Sequence, residues 1–351
     1  MTRTQLNEKM KELIISPSQE GQKLERVLER ALKNAPAGFL YKMLRKKNIT
    51  LNGKKATGKE QLHTGDAVQI WFSDDTFRKF AGETAAAFLP EKKTVASSQL
   101  RRDDFFENSI LYEDPHVLIV NKPSGVLTQK AAPSDWSLNE YAVEYLLRTG
   151  QTDPEKLVFI RPSACNRLDR NTSGIVTIGK TQQGLATLTA LFRDRLVHKD
   201  YLCMTLGHVK EELLLDGYLS KNASDNKAEV SAKQTEGSRR ILTKVWPEHC
   251  FTEPGGYSLS LLRIRLFTGR THQIRAHLGS IGYPILGDVK YGNEKANRYF
   301  RDAYGIRSQM LHAYRLEFPA DLPGPLAALA GKTFTARVPE EFQRVLGERE
   351  I

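Results

Sequence analysis

The stretch Cys165-Asn166-Arg167-Leu168-Asp169-Arg170-Asn171-Thr172-Ser173-Gly174 runs directly into the apolar, β-branched segment Ile175-Val176-Thr177-Ile178. The second segment has the length and composition of a buried strand. Asn171 and Gly174 suit the left-handed or capping geometry of a tight turn. Most neighbouring Asp and Arg residues are only solvated ion pairs. A carboxylate, Asp169, between two arginines at the start of a buried strand nevertheless indicates a functional site.

The first stretch resembles the Arg-Leu-Asp-x-x-Thr-Ser-Gly motif of RNA pseudouridine synthases, which modify ribosomal and transfer RNA uridines. The resemblance implies that Asp169 is the essential catalytic carboxylate. It also implies that Arg167 takes the place of the flipped nucleotide or holds its backbone. One departure is Asn166, where the family usually has His. Because both side chains form hydrogen bonds, we expect the shape of the loop to be kept.

Upstream, apolar runs predict strands over 110–112 and 117–120, followed by the turn Asn121-Lys122-Pro123-Ser124-Gly125. By itself this is a Pro-Gly turn. Its Asn-Lys-Pro-x-Gly pattern is similar to the first motif of the same family. On that basis we expect Lys122 to contact a substrate phosphate.

Downstream, alternation predicts a strand over 198–204 that contains Lys199-Asp200-Tyr201. The Lys-x-Tyr pair resembles the second family motif, which implies that Tyr201 lies against the uracil ring. Without the family, a strand tyrosine half in the core would be the favoured interpretation. Lys199, like Arg193 and Arg195 before it, is assigned to the polar side of this region.

The segment Thr268-Gly269-Arg270-Thr271-His272-Gln273-Ile274-Arg275-Ala276-His277 follows a predicted strand over 257–267. Gly269 permits a turn and Thr271 can cap a helix that starts there. Arg270 would then precede the helix as a substrate-binding residue, and Arg275 would end its first turn. By resemblance, Arg275 keeps the catalytic carboxylate ionised. The five-residue spacing of the two histidines is wrong for a metal site on one helical face.

The family reaction breaks the N1–C1′ bond of uridine, turns the base and rejoins it through C5. It changes no oxidation state and adds no atom, so we expect no cofactor and no metal. A carboxylate is needed either to attack C1′ or to assist proton removal towards a glycal. The sequence leaves both routes open for Asp169. The segments 283–288 and 291–292 resemble the third family motif, and Leu311-His312-Ala313 is a further familiar element before a predicted strand over 314–318.

The segment Gly174-Ile175-Val176-Thr177-Ile178-Gly179-Lys180-Thr181 fits the P-loop formula literally. In a P-loop, however, the residues between the glycines form a loop whose N–H groups surround a phosphate. Here those residues are the predicted strand, so their N–H groups would serve sheet pairing. The pattern therefore does not indicate a nucleotide triphosphatase.

Near the start of the chain, an amphipathic helix from Lys23, a second short helix around 39–44 and a strand entering the Asn52-Gly53 turn are predicted. This order resembles the S4 RNA-binding domain over about residues 20–72. A run of cations without an intervening acid suits a phosphate backbone better than a solvated face. The predicted RNA-binding residues are Lys42, Arg45, Lys46, Lys47, Lys54 and Lys55, with Lys59 in the same run.

We predict three parts: an S4-like module over residues 1–73, a linker over 74–108 with one short helix around 85–88, and a catalytic domain over 109–351. The fold class is α+β, with a mixed, largely antiparallel sheet flanked by helices and a small N-terminal module. The segment 210–244 carries little recognisable signal. The length of 351 residues and an apolar fraction of 40% suit two domains.

The net charge of +11 favours a polyanionic partner. No apolar run is long enough for a transmembrane helix, and the first twenty residues do not have the pattern of a signal peptide. Three dispersed cysteines favour a reducing compartment and argue against a disulfide framework or a cysteine zinc site. We therefore expect a cytoplasmic, monomeric protein with RNA as its partner and no membrane association.

The function that these features favour is an RNA pseudouridine synthase acting on large-subunit (23S) ribosomal RNA, because the S4 module commonly accompanies that substrate. Transfer RNA is the alternative substrate. The alternative from another class is a non-catalytic RNA-binding or ribosome-assembly factor, against which the intact Asp169, Tyr201 and Arg275 argue.

Overall fold

The computed structural model describes residues 10–15, 19–81, 105–132, 134–221 and 227–349. They divide into two compact units. The first unit comprises the described residues up to Asn108 together with Glu140–Ser163 and Gly179–Ala186, and the second comprises the rest.

The first unit contains a small antiparallel sheet with strand order β1-β4-β2-β3. Its elements up to residue 81 are β1 (Met10–Ile14), α1 (Leu24–Ala31), α2 (Ala37–Arg45), β2 (Ile49–Leu51), β3 (Lys54–Lys55), β4 (Ala67–Trp71) and α3 (Asp74–Ala81). Asn52 and Gly53 both have positive φ, 52° and 71°. A two-residue hairpin turn of the predicted Asn-Gly kind requires this geometry.

The core of this unit includes the apolar face predicted for α1 and also a helix that we did not expect. Leu24, Val27 and Leu28 are buried in it, as the helical periodicity predicts. Phe77 and Ala81 of α3 are buried in the same core, where we expected the linker to begin. The packed part of the module therefore extends to residue 81. The short helix predicted around 85–88 lies outside the described residues.

The second unit is built on a large mixed sheet with strand order β11-β10-β12-β13-β9-β14-β8-β6-β5 and β15 beside β14. Antiparallel pairs predominate, and β8 and β14 pair in parallel. The predicted α+β class is confirmed. The strands are β5 (Ile110–Glu113), β6 (Val117–Lys122), β7 (Ser163–Ala164), β8 (Ser173–Gly179), β9 (His198–Leu206), β10 (Leu213–Lys221), β11 (Ala228–Ser231), β12 (Arg239–Thr252), β13 (Ser258–Leu266), β14 (Leu311–Glu317) and β15 (Thr333–Thr335).

Helices account for much of the remaining described chain. They are α4 (Phe105–Asn108), α5 (Leu138–Arg148), α6 (Pro154–Phe159), α7 (Gln182–Arg193), α8 (Gln273–Ser280), α9 (Glu294–Tyr304) and α10 (Glu340–Leu346), with a 3₁₀ helix at Gly324–Leu329. Phe300 of α9 and Phe342 of α10 pack with Leu202, Met204 and Leu261 of the sheet in one apolar cluster. In the segment that carried little signal, the structure has β10, β11 and the start of β12.

Strand β8 is the predicted apolar run, and each of its residues is buried. Because the run is a strand, it cannot wrap a phosphate, and the P-loop interpretation stays excluded. Gly174 has φ +114°, and a Cβ added there would lie 2.3 Å from the carbonyl oxygen of Ala313 on β14. Only glycine fits where β8 and β14 begin to pair, which sets the position of the loop just before β8.

Candidate active site

The loop that carries Asp169 is held by hydrogen bonds to its backbone on both sides. Thr128 Oγ1 donates to the carbonyl of Leu168 at 2.9 Å, and the N–H of Leu168 donates to Thr128 Oγ1 at 3.2 Å. The N–H of Thr172 donates to the carbonyl of Asp169 at 3.1 Å. These bonds leave the Asp169 side chain 28% exposed at the edge of a cavity.

Asn166 occupies the position that is usually His in the family. Its Nδ2 donates to the carbonyl of Ile175 at 3.0 Å, and its Oδ1 accepts from the backbone N–H and hydroxyl of Thr177 at 2.8 and 3.1 Å. The amide is buried and ties the loop to β8. The Asn166 side chain therefore supports the shape of the loop.

Lys122 does not point into solvent, and the expectation that it contacts a substrate phosphate is corrected. Its side chain is fully buried, and Nζ donates to the carbonyls of Pro123, Val126 and Arg170 at 3.0, 2.8 and 3.0 Å. Burial lowers the pKa of Lys122 to about 7, an effect that the charge of Asp169 opposes. The ammonium group thus ties the Asp169 loop to the turn after β6.

Arg275 joins two carboxylates at the end of the cavity. Its Nη1 donates to Oδ2 of Asp169 at 3.0 Å, and its Nε and Nη2 donate to the two carboxylate oxygens of Asp288 at 2.7 and 2.9 Å. Although burial opposes the charge, Asp288 and then Asp169 raise the pKa of Arg275. The predicted meeting of Asp169 and Arg275 is present, and Asp288 completes it.

Asp288 is fully buried and anchors the guanidinium. Burial disfavours its charged form. The Arg275 guanidinium and the backbone N–H groups of Tyr291 and Lys290 nevertheless hold the pKa of Asp288 below its usual value. A bidentate pair of this kind fixes the plane of the guanidinium. The remaining Nη1 is therefore aimed at Asp169.

Tyr201 lines the same cavity from strand β9. It is 6% exposed, and burial, followed by the charge of Asp169, raises the pKa of its hydroxyl. The side chain therefore stays neutral at physiological pH. An aromatic ring close to a carboxylate offers a stacking surface for a planar base.

His272 lies beside Asp169 at the start of α8. Its Nε2 is 3.7 Å from Oδ2 of Asp169, and its Nδ1 is 3.1 Å from Oη of Tyr291. Burial lowers the pKa of His272 despite the opposing charge of Asp169. His272, with φ 56° in the left-handed region, is the residue that precedes α8. The helix therefore begins one residue later than a Thr271 cap would place it.

The cavity has a volume of about 580 Å³ and is lined by residues of the Asp169 loop, β9 and the start of α8. The predicted substrate-binding residues Arg167 and Arg270 both line it and are exposed. The site thus brings together Asp169, Tyr201, Arg275, Arg167 and Arg270, and it leaves Lys122 beneath.

Four contributors to this cavity or its supports were missed from sequence: Asp288, Tyr291, His272 and Lys199. Asp288 and Tyr291 belong to the third family motif, and His272 belongs to the segment that carries Arg275. The motifs therefore identified the correct segments, but the sequence analysis assigned no role to these three side chains. Lys199 was assigned to the polar side. In the structure it is half-buried and lines the cavity.

The predicted RNA-binding cations belong to the first unit, on α2, in the two residues that follow α2, and on β3. Each of them is exposed, and none forms an ion pair within the part of the chain that the structure describes. They are Lys42, Arg45, Lys46, Lys47, Lys54 and Lys55.

The described residues also bear on metal binding and on membrane insertion. No group of three His, Cys, Asp or Glu side chains there could hold a metal ion. In the same residues, no helix has the length and apolar character needed to cross a bilayer.

Comparison with known proteins relates the chain to RNA-modifying enzymes. Residues 116–280 match the family described as RNA pseudouridylate synthase. The chain is 30% identical over 312 residues to the "Ribosomal large subunit pseudouridine synthase C" of Vibrio cholerae, with 87% of each chain covered. It is 28% identical over 315 residues to the protein of the same name from Escherichia coli K12, with 88% of each covered.

A solved structure shares the fold. "Human RNA Pseudouridylate Synthase Domain Containing 4" matches with a TM-score of 0.54 and 21% identity, and covers 69% of this chain and 92% of its own. Its likeness concerns the fold alone.

Proposed function

Because the chain belongs to the RNA pseudouridylate synthase family and is therefore a pseudouridine synthase, we propose that it isomerises uridines of large-subunit ribosomal RNA, with Asp169 as the catalytic carboxylate. The observation that carries the assignment is the side-chain series Asp169–Arg275–Asp288 at a cavity wall. The relatives from Vibrio cholerae and Escherichia coli, both named for the large ribosomal subunit, support the substrate.

Asp169 has two chemically balanced routes. As a nucleophile, its carboxylate forms a bond to C1′ while the N1–C1′ electron pair leaves with the uracil. After the base turns, C5 displaces the carboxylate, and the C5 proton is lost as N1 gains one. As a base, the carboxylate instead removes the C2′ proton while the N1–C1′ electron pair leaves with the uracil, which gives a glycal. The carboxylate returns that proton to C2′ when C5 joins C1′, and again the C5 proton is lost as N1 gains one. In both routes the carboxylate must be ionised at the start.

Arg275 supports that ionised state. A guanidinium bonded to one carboxylate oxygen offsets the loss of hydration that the carboxylate suffers when a nucleotide fills the cavity. Asp288 holds the opposite edge of the guanidinium, so the geometry exists before substrate binds. Such preorganisation lowers the cost of reaching the transition state.

Tyr201 and the arginines complete the proposal. A target uridine must leave its stack, at a cost of a few kcal/mol, and the ring of Tyr201 gives the base a surface to lie against. Arg167 would take the place of the extruded nucleotide, and Arg270 would hold RNA at the rim. The S4-like module, through its cations on and directly after α2 and on β3, would bind the phosphate backbone without reading sequence. We further propose that the protein works as a monomer in the cytoplasm.

The test is a map of pseudouridines across total RNA from cells that lack the protein. One or more sites in the large-subunit RNA should disappear, return with the wild-type gene and stay absent with Asp169→Ala. Loss of sites only in transfer RNA would overturn the ribosomal assignment. Full restoration by Asp169→Ala would overturn the catalytic role of this carboxylate.

A further inference from the structure

Lys199 lies on the cavity side of β9, two residues before Tyr201. Side chains alternate along a strand, so residues 199 and 201 share one face and Asp200 lies on the other. Asp200 is buried and binds Arg265 in a bidentate pair at 2.6 and 2.7 Å. The acid nearest to Lys199 in sequence is therefore already used elsewhere.

The ammonium group of Lys199 has no anionic partner within the part of the chain that the structure describes. Its Nζ lies 5.5 Å from the centre of the Phe192 ring. Across from it is the turn at Gly269, where an added Cβ would lie 4.0 Å from Nζ. Burial lowers the pKa of Lys199, and no acid counters the effect. The absence of a side chain at Gly269 keeps the ammonium group open to the cavity.

Three other cations of this unit, two buried and one half-buried, have partners within the protein. Arg275 binds two carboxylates, Arg265 binds Asp200, and Lys122 donates to three carbonyls. A half-buried charge without a partner is costly unless a ligand supplies the opposite charge. Arg167 and Arg270 line the same cavity, whose acid Asp169 is already paired with Arg275. The cavity thus carries an excess of positive charge that suits an anionic ligand.

We propose that Lys199 binds a backbone phosphate next to the target uridine and so anchors the nucleotide whose base lies against Tyr201. This inference rests on the proposed function. Residues 199 and 201 are separated by roughly 7 Å along the strand, which is comparable to the separation between a base and its own phosphate. A uracil carbonyl would leave the excess charge uncompensated, whereas a phosphodiester neutralises it.

The test combines protein variants with a chemically altered RNA. Lys199→Met removes the charge and keeps the aliphatic length, Lys199→Arg keeps the charge, and Lys295→Met on α9 is the exposed control. The RNA is a short hairpin carrying a mapped target uridine, made with ordinary phosphates or with one neutral methylphosphonate 5′ or 3′ of that uridine. Both the equilibrium Kd and the KM and kcat of modification are measured at several salt concentrations.

Lys199→Met should raise Kd and KM about 10- to 100-fold, as expected for a lost charge-assisted hydrogen bond. It should also reduce the slope of log affinity against log salt by about 1. Lys199→Arg should restore most of the affinity, and Lys295→Met should match wild type. On one of the two methylphosphonate RNAs, wild type and Lys199→Met should bind equally well, because the partner charge is already gone.

Two results would overturn the inference. The first is a Lys199→Met protein that matches wild type on the ordinary RNA. The second is a penalty of the same size on every RNA, which would mean contact with a uracil carbonyl or a packing role. A wild-type protein that made no pseudouridine would instead overturn the proposed function, and the affinity measurements would still decide whether Lys199 reads a phosphate.

Discussion

Nη1 of Arg275 lies 3.0 Å from Oδ2 of Asp169, although 106 residues separate them in the chain. The contact joins the loop before β8 to the first turn of α8. Asp288, 13 residues after Arg275, holds the other edge of the same guanidinium. Arg275 therefore orients the Asp169 carboxylate, and Asp288 orients Arg275. Substitutions can test each of these side chains separately.

Asp169→Ala should abolish pseudouridine formation and leave RNA affinity within a few-fold of wild type. The side chain supplies the reacting oxygen but only one of many contacts to RNA, so turnover should fall by roughly 1,000-fold or more. Product is measured by mass spectrometry of digested RNA, and affinity by filter binding. Unchanged turnover would contradict the catalytic assignment, and a parallel loss of affinity would point to a folding defect.

Asp288→Asn should lower kcat by about 10- to 100-fold with a smaller change in KM, because Arg275 loses its anchoring charge but the cavity keeps its lining. Breaking one side of a buried ion pair should also cost about 3 kcal/mol of unfolding free energy. Asp216→Asn is the matched control, since Asp216 pairs with Arg240 at the exposed surface. An Asp288→Asn enzyme with the kcat of wild type would show that Asp169 needs no such support.

Lys122→Met should destabilise the protein by about 3 kcal/mol, because three backbone carbonyls lose the buried ammonium group that donates to them. The change should appear in chemical denaturation followed by near-UV circular dichroism. Lys295→Met, at an exposed position, should stay within about 0.5 kcal/mol of wild type. Equal stability of the two variants would mean that the tie between the turn and the loop carries no net energy.

Replacing Lys46, Lys47, Lys54 and Lys55 together by Gln should weaken RNA binding and flatten its salt dependence. Each phosphate contact that is lost should reduce the slope of log affinity against log salt by about 0.7 to 0.9. The kcat of modification at saturating RNA should not change, because these cations are outside the catalytic cavity lining. A control variant removes the same number of exposed cations on α9 and α10, at Lys295, Arg298, Arg301 and Arg344. If both variants shift the slope equally, the cluster has no special role.

Stability should fall as pH drops from about 6.5 to about 4, partly because of His312. Burial lowers the pKa of this fully buried imidazole to about 4, so the folded state binds fewer protons than the unfolded state in that interval. The contribution is fully present above the unfolded pKa and is lost towards the folded pKa, for a total of about 3 kcal/mol. Urea denaturation at pH 7, 5.5 and 4.5 measures it.

In His312→Gln the dependence on pH should be shallower over this interval. The control is His198→Gln, whose side chain is exposed and whose pH profile should follow wild type. Identical profiles for His312→Gln and wild type would mean that other groups cause the acid sensitivity.

Local patterns predicted the elements around the site with useful accuracy. The β-branched run after Gly174 is a strand, the apolar face predicted in α1 is buried, and Asn52-Gly53 makes the tight turn between β2 and β3. Each of these features depends on hydrophobic periodicity or backbone preference within a few residues, so the local sequence is enough to predict it.

The family motifs also identified the segments that form the site, but they did not predict which way the side chains of those segments point. Lys122 belongs to the first family motif, but its side chain points into the protein. Its direction could not be predicted locally, because one of its acceptors is a carbonyl 48 residues away in the chain. Lys199 was placed on the polar side and lies in the cavity. The packing of α3, the strands within the segment 210–244 and the role of Asp288 were likewise not predicted.

By itself, the sequence determined the helices and strands around the site, the family and the identity of its candidate carboxylate, since these depend on short-range pattern and residue chemistry. Tertiary structure alone decided which cations are bonded by the protein and which remain open to a ligand. The physical reason is that the state of a buried charge depends on desolvation and on partners that folding brings from distant parts of the chain.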